Sequence, residues 1–385
     1  METYLVGGAV RDELLGRTPT ERDWVVVGAT PEALEAAGYR RVGRDFPVFL
    51  HPETGEEHAL ARRERKAGHG YHGFDVHAGP EVTLEEDLGR RDLTINAIAR
   101  AADGTLVDPH DGRADLEART LRHVSPAFVE DPLRVLRVAR FAARLAPLGF
   151  RVADETRALM REIAASGELD YLVPERVWQE TARALGEPAP ARFFDELAAC
   201  DALAAVFPEL APLFAPGATD AGRAALQAAA AADEPAAVRF AALCHPLAPE
   251  HALAALCARL PVPRAWADPA RLVARWHVAV ITAVDADGDG LWAVLAGCDA
   301  LRRGERFEQV LAACRAIARA QGRERAAEAG GARLRAAREA ARAVDGAALA
   351  RAGWRGAELG AELERRRRAA VAAVAGGGPS PEAGR

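Results

Sequence analysis

The sequence predicts an α+β protein, with strands and short helices sharing the N-terminal third and helices filling the remainder. Short apolar runs bounded by turn residues recur up to about residue 110, the pattern of strands alternating with brief helices. From about residue 130 the apolar positions return every three or four residues, which is helical spacing. With 385 residues, half of them apolar, the chain is long enough for two or more cores.

Tyr4-Leu5-Val6 reads as a buried strand, Gly7-Gly8 as a tight turn, and Ala9 to Gly16 as a helix closed by glycine. Such a junction lets backbone N–H groups approach a phosphate, and Arg11 adds a cation in the first turns. An ordinary strand-to-helix turn has the same pattern. Glu21-Arg22-Asp23-Trp24-Val25-Val26-Val27 follows as a strand whose two carboxylates, two residues apart, share a face. They repel each other unless a cation lies between them, and the oxygen-rich pair suits Mg²⁺.

A short helix from Pro31 to Gly38, then strands over Val42–Leu50 and Glu56–Arg62, come next. Glu57 is a candidate third carboxylate, with a pair of hairpin charges as the plain alternative. Residues 63–80, rich in glycine and charge, read as a flexible loop, and His69, His72 and His77 within it lack a metal-binding spacing. Thr83–Leu88 leads into Arg90-Arg91-Asp92, a helix is expected from Leu93 to Arg100, and a strand and turn close the part at Leu106–Gly112.

The next helix begins Glu130-Asp131-Pro132-Leu133, with Pro132 expected at its first position and Asp131 in its first turn. Arg134, Arg137 and Arg140 recur every three residues, each stepping back by about 60° to make a slanted stripe. Val135, Val138, Phe141 and Ala142 occupy the opposite side. Arginines on a helix usually form a solvated face. Here the stripe begins with an acceptor and continues with donors, which suits a ligand carrying both.

Composition narrows the function classes. Lys66 is the single lysine beside 49 arginines, so arginine count alone says little, and a formal charge of -6 excludes a wholly basic nucleic-acid coat. Between Arg302 and Arg368, however, 17 arginines face 9 acids, a local excess that could follow a phosphate backbone. Five cysteines, Cys200, Cys244, Cys257, Cys298 and Cys314, make no Cys-x-x-Cys pair and read as small core residues in a reducing compartment. No apolar run approaches the roughly 20 residues of a membrane span. A cytoplasmic chain without a secretory signal or membrane partner is expected.

These residues in this order resemble the bacterial tRNA nucleotidyltransferases, the CCA-adding enzymes, and within them the proteobacterial branch. The resemblance rests on Leu5-Val6-Gly7-Gly8-Ala9-Val10-Arg11-Asp12, the carboxylate pair before Trp24, and Val42 to His51. It continues through Arg90-Arg91-Asp92-Leu93-Thr94-Ile95-Asn96-Ala97, Asp108-Pro109…Gly112…Asp115-Leu116, Glu130-Asp131…Arg134…Arg137…Arg140-Phe141 and Pro174-Glu175-Arg176-Val177-Trp178. It implies a polymerase β-like head with a mixed sheet at 1–124, a helical neck at 125–215, a helical body at 216–300, a tRNA-binding tail at 301–375 and a disordered end at 376–385. It also implies attack of the tRNA 3′-hydroxyl on the α-phosphate of CTP or ATP by a monomer. Gly8 and Arg11 would hold the triphosphate, Glu21 and Asp23 the Mg²⁺ ions, and Arg91 with Asp92 the nucleotide. Asp131, Arg134, Arg137 and Arg140 would bind the base and its neighbours.

A carboxylate beside a guanidinium complements the amino donor and bare ring nitrogen of cytosine and adenine, and opposes uracil and guanine. The chain departs from the family in two places. Glu21-Arg22-Asp23 replaces Asp-x-Asp, and Pro246 follows His245 where a phosphohydrolase module would have aspartate. The body therefore reads as a degenerate phosphohydrolase region, with His245, His251 and His277 as ordinary helix residues. Asp285-Ala286-Asp287-Gly288-Asp289-Gly290 opens like a calcium loop but ends on Ala296, so it reads as an interhelical turn. The rival readings are a poly(A) polymerase of the same superfamily, an inert RNA-binding relative, and a phosphohydrolase acting through the body.

Overall fold

Val6 and Asp23 are cross-strand neighbours, which brings the Gly7-Gly8 turn and the carboxylate to the same end of a sheet. The structure, a computed structural model, describes residues 1–42, 48–66, 74–215, 217–247 and 250–376. Gly43 to Pro47, His69, His72 and residues 377–385 lie outside the described residues. The chain forms two compact units, Met1–Pro208 and Glu209–Arg385.

The first unit opens with β1 (Glu2–Val6), α1 (Gly8–Leu14), β2 (Asp23–Val27), α2 (Pro31–Ala36), β3 (Arg40–Arg41), β4 (Val48–Leu50) and β5 (Glu57–Leu60). β6 (Arg62–Lys66), β7 (Phe74–Ala78), α3 (Leu84–Gly89), β8 (Ala99–Arg100), β9 (Leu106–Val107), α4 (Gly112–Glu117) and β10 (Thr120–Leu121) follow. Seven strands form one sheet in the order β3-β4-β5-β2-β1-β8-β9. Within it only β2 and β5 run parallel, so the sheet is mixed, as expected. Val6, Val25, Ala97 and Ala99 pack one of its faces against Val82, Leu84 and Leu88, and Val26, Leu34, Phe49 and Leu60 close the other.

Two expectations fail here. Residues 63–80 are not simply a loop, because β6 and β7 pair antiparallel from Arg62↔Ala78 to Lys66↔Phe74. Residues 93–100 are not a helix. Thr94–Asn96 makes a single 3₁₀ turn and Ala99–Arg100 joins the sheet as β8. The turn is braced from outside, by Asp115 Oδ2 accepting the Thr94 hydroxyl at 2.7 Å and by α4 lying close against it. A Cβ at Gly112 would stand 2.3 Å from the Thr94 carbonyl, so only glycine permits that approach. Asp108 caps the same helix, its two oxygens accepting the N–H groups of Gly112 and Arg113.

α5 (Leu133–Leu145), β11 (Arg151–Val152), α6 (Asp154–Ala165), α7 (Pro174–Gly186), α8 (Ala191–Ala199) and α9 (Leu203–Val206) complete the unit. α5 starts later than expected. Pro132 is its cap and Asp131 precedes it in extended conformation, accepting the Leu133 N–H at 3.0 Å. Val135, Val138, Phe141 and Ala142 are buried, as their spacing required, and α5 packs on α7 and α8.

The second unit is helical: α10 (Ala221–Ala231), α11 (Ala236–Cys244), α12 (Glu250–Arg259), α13 (Arg264–Ile281), α14 (Gly288–Gly297), α15 (Gly304–Ala320), α16 (Glu324–Arg342), α17 (Gly346–Arg351) and α18 (Gly356–Ala375). α11, α13 and α15 pack on one another, and α16 packs on α18. Asp287 caps α14 by accepting the Gly290 N–H at 2.8 Å, so the calcium-like run is a turn between helices.

His245 and His277 stand edge to face at 5.1 Å, and their Nδ1 atoms donate to the carbonyls of Ala242 and Val273. Among the described residues no three His, Cys, Asp or Glu side chains gather as a metal would require. Burial, aided by the His277 charge and opposed by the Ala242 carbonyl, lowers His245 from 6.5 to about 4. The folded state therefore favours the neutral ring, and its advantage is present above 6.5 and lost as pH falls toward 4. Wild type should lose roughly 3 kcal/mol through this group. Unfolding measured against pH should show His245→Gln losing less stability than wild type across that window, and parallel curves would contradict the assignment.

Candidate active site

A cavity of about 1070 Å³ opens in the first unit where the end of the sheet meets α5 and α7. Ten of the eleven residues singled out from the sequence line it: Gly8, Arg11, Glu21, Asp23, Arg91, Asp92, Asp131, Arg134, Arg137 and Arg140. Glu57 does not. It is exposed, and although it is the register partner of Asp23 it lies outside the lining. Ten arginines and five carboxylates line the cavity, a strongly cationic balance suited to phosphates.

Gly7 adopts φ 70°, and a Cβ there would meet Arg91 Nη1 at 2.9 Å, so the turn brings the backbone close to that guanidinium. Asp23 begins β2 and Glu21 lies just ahead of the strand, both reaching the cavity. Asp23 is accessible from the cavity, yet the surrounding walls remove enough water to raise its carboxyl. The charge of Glu21 raises it further and Arg91 opposes both. Burial is the main cause, and two carboxylates at the cavity wall are a donor set that fits a divalent cation.

The lining side chains are linked to one another and to carboxylates behind them. Arg11, 2% exposed, donates to Asp12 Oδ1 at 2.9 Å and to Asn96 Oδ1 at 2.6 Å, with its guanidinium 5.2 Å from the Phe141 ring. Asn96 donates to Asp92 Oδ1, and Asp92 Oδ2 accepts Arg137 at 2.8 Å. Burial pushes the Asp92 carboxyl up, but Arg137, Asn96 and Arg134 together bring it down to about 2. Asp87, fully buried, holds both Arg90 and Arg91.

The arginine stripe is not a solvated face. Arg134 and Arg140 are buried, and each arginine has a partner within the protein. Arg134 donates to the carbonyls of Ala127 at 2.8 Å and Arg90 at 2.5 Å. Arg140 donates to Glu180 at 2.6 Å and Arg144 to Asp12 at 3.2 Å. Asp131 accepts Arg176 at 3.3 Å.

Sequence reasoning missed Arg90, Asn96, Arg144, Arg176, Arg183 and Glu187 in the lining, and Asp12, Asp87 and Glu180 behind it. Arg176, Glu180, Arg183 and Glu187 recur at three- and four-residue spacing on and just after α7, a periodicity that was available as a signal.

Residues 3–122 match the family described as "Poly A polymerase head domain", and residues 149–214 match "Probable RNA and SrmB- binding site of polymerase A". The chain is 58% identical over 336 residues to the "Multifunctional CCA protein" of Thioalkalivibrio sulfidiphilus, covering 80% of this chain and 82% of that one. It is 53% identical over 337 residues to the protein of the same name from Pseudomonas aeruginosa, with the same two coverages. Among solved structures, the Bacillus stearothermophilus CCA-adding enzyme in complex with CTP aligns at TM-score 0.64 and 25% identity, over 97% of this chain and 89% of that one. A Thermotoga maritima CCA-adding enzyme complexed with tRNA shares the fold at TM-score 0.68 and 22% identity, over 99% of this chain and 89% of that one. A polymerase-type head, an arginine-lined cavity and extended identity to these relatives coincide in one chain, which belongs to the family of the CCA-adding tRNA nucleotidyltransferases.

Proposed function

We propose that the chain builds or repairs the 3′-terminal CCA of tRNA from CTP and ATP, releasing pyrophosphate. The observation that carries this reading is the placement of Glu21 and Asp23 in a cavity otherwise dominated by arginines. Members of the nucleotidyltransferase family use a divalent metal, and Mg²⁺ fits two crowded carboxylates of this kind. Held there, Mg²⁺ would favour attack of the 3′-hydroxyl on the α-phosphate and departure of pyrophosphate.

The protein's own groups do the rest. Gly8, Arg11 and Arg91 offer the turn and the cations that receive the triphosphate. Asp92 keeps Arg137 in place, and Asp131 accepts the amino group of cytosine or adenine. Arg134 braces the segment ahead of α5 through two carbonyls, so its loss would disturb more than base contact. We read 1–124 as head, 125–215 as neck, 216–300 as body and 301–375 as a tRNA-binding tail, in a cytoplasmic monomer. Among the described residues no helix is long and apolar enough to cross a membrane.

Extension of a tRNA lacking its CCA, resolved at single-nucleotide length, tests the reading. Two additions with CTP and three with CTP plus ATP are expected in Mg²⁺. The head's match to poly A polymerases favours a second reading, A-only addition. Incorporation from ATP alone onto that tRNA, with none from CTP, would establish it, and no extension would leave an RNA-binding relative.

A further inference from the structure

Asp131 stands just ahead of α5, and its two oxygens have different partners. Oδ1 accepts the Leu133 N–H, a local contact that ties the carboxylate to the helix start. Oδ2 accepts Arg176 Nη2 at 3.3 Å, a guanidinium contributed by α7. Arg134, the nearer arginine in sequence, donates to the Ala127 and Arg90 carbonyls. An ionised carboxylate has about four lone-pair sites, so two remain for donors entering the cavity.

The arrival of Arg176 at that point has a cause. Arg176 and Glu180 are four apart on α7 and therefore share a face. Glu180, 4% exposed, accepts Arg140 at 2.6 Å and lies 4.0 Å from Arg137. That buried contact sets the rotation of α7 against α5, and Arg176 follows one turn earlier at Asp131. The Arg176–Asp131 pair is itself partly wet, its side chains 27% and 20% exposed, so it adds little to stability. Its effect is on direction. The terminal torsion of aspartate is broad and roughly twofold, and the guanidinium on Oδ2 adds to the Leu133 N–H on Oδ1 a second, distant contact that holds it at one setting.

We infer that Arg176 is a positioning residue for nucleotide selection, holding the Asp131 carboxylate where it accepts the amino group of cytosine or adenine. The inference rests on the reading of Asp131 as a base-contacting residue. With Arg176 gone, the carboxylate turns away from the amino donor and no longer opposes a carbonyl, so uracil and guanine are rejected less well.

Single-turnover addition from CTP and from UTP should be compared in wild type, Arg176→Ala, Arg176→Lys, Asp131→Asn and the Asp131→Asn/Arg176→Ala double variant. Arg176→Ala should lower the preference for CTP over UTP about tenfold, with Asp131→Asn falling at least as far and the double variant no further. Arg176→Lys should restore most of the preference, since a single N–H contact suffices. Wild-type preference in Arg176→Ala beside relaxed preference in Asp131→Asn would overturn the role of Arg176 alone. Unchanged preference in Asp131→Asn would overturn the base-reading role first. Parallel loss of both nucleotides with lowered thermal stability would also overturn the inference, because it marks a merely structural pair.

Discussion

Asp23→Asn should abolish CMP and AMP addition for practical purposes, cutting the single-turnover rate by roughly a thousandfold, the equivalent of about 4 kcal/mol of transition-state stabilisation. Asp23 sits at the first residue of β2, opposite Val6 and the glycine turn, so its position is fixed by the sheet. Burial and the neighbouring Glu21 both act against its negative charge, and Arg91 only partly offsets them. An amide at this position removes the charge that a divalent cation needs while keeping the shape. Because the side chain is accessible, the fold should be untouched and the melting temperature unchanged. A residual rate within tenfold of wild type would show that Glu21 and other groups suffice, and the assignment of Asp23 would fall.

The second large effect concerns stability. Glu180→Ala should destabilise the first unit by about 3 kcal/mol or more, because it leaves Arg140 buried without its carboxylate. Arg140 and Glu180 are 7% and 5% exposed in their side chains and 2.6 Å apart, with the guanidinium 4.6 Å from the Phe141 ring. Breaking one partner of such a pair costs far more than the pair contributes, since the remaining charge has no water to turn to. For a unit of this size the loss corresponds to a drop of roughly 6–12 °C in its unfolding transition. Thermal unfolding followed together with hydrogen exchange in α5 and α7 would check it. Wild-type protection in both helices would mean that Glu187, 3.7 Å from Arg140, takes over the charge.

The parts of the site legible in the sequence are those set by neighbours along the chain. The turn at Gly7-Gly8, the strand after Asp23 and the apolar side of α5 each follow from local periodicity and turn chemistry. The failures have the opposite character. Residues 93–100 carry helical spacing, yet Asp115, Gly112 and the sheet partner β1 hold them in a turn and a strand. Glycine and charge masked the alternation of Phe74, Val76 and Ala78, a period of two that belongs to β7. The arginine stripe was visible as a pattern, whereas its partners Glu180 and Asp92 lie some forty residues away in either direction. No local pattern reports a pairing over that distance. The contact of Asp131 with Arg176, 45 residues further along the chain, escapes local reading for the same reason.

The cavity takes its lining from Gly7 near one end of the unit and from Glu187 near the other. A nascent chain therefore has no complete pocket until α7 has left the ribosome, however early the sheet itself can form. The same arithmetic bears on ancestry. A head transplanted alone would carry Glu21 and Asp23 but neither Asp131 nor the α7 residues that complete the lining. The smallest portion that could be exchanged between genomes with this cavity complete is thus the first unit with α7 rather than its sheet.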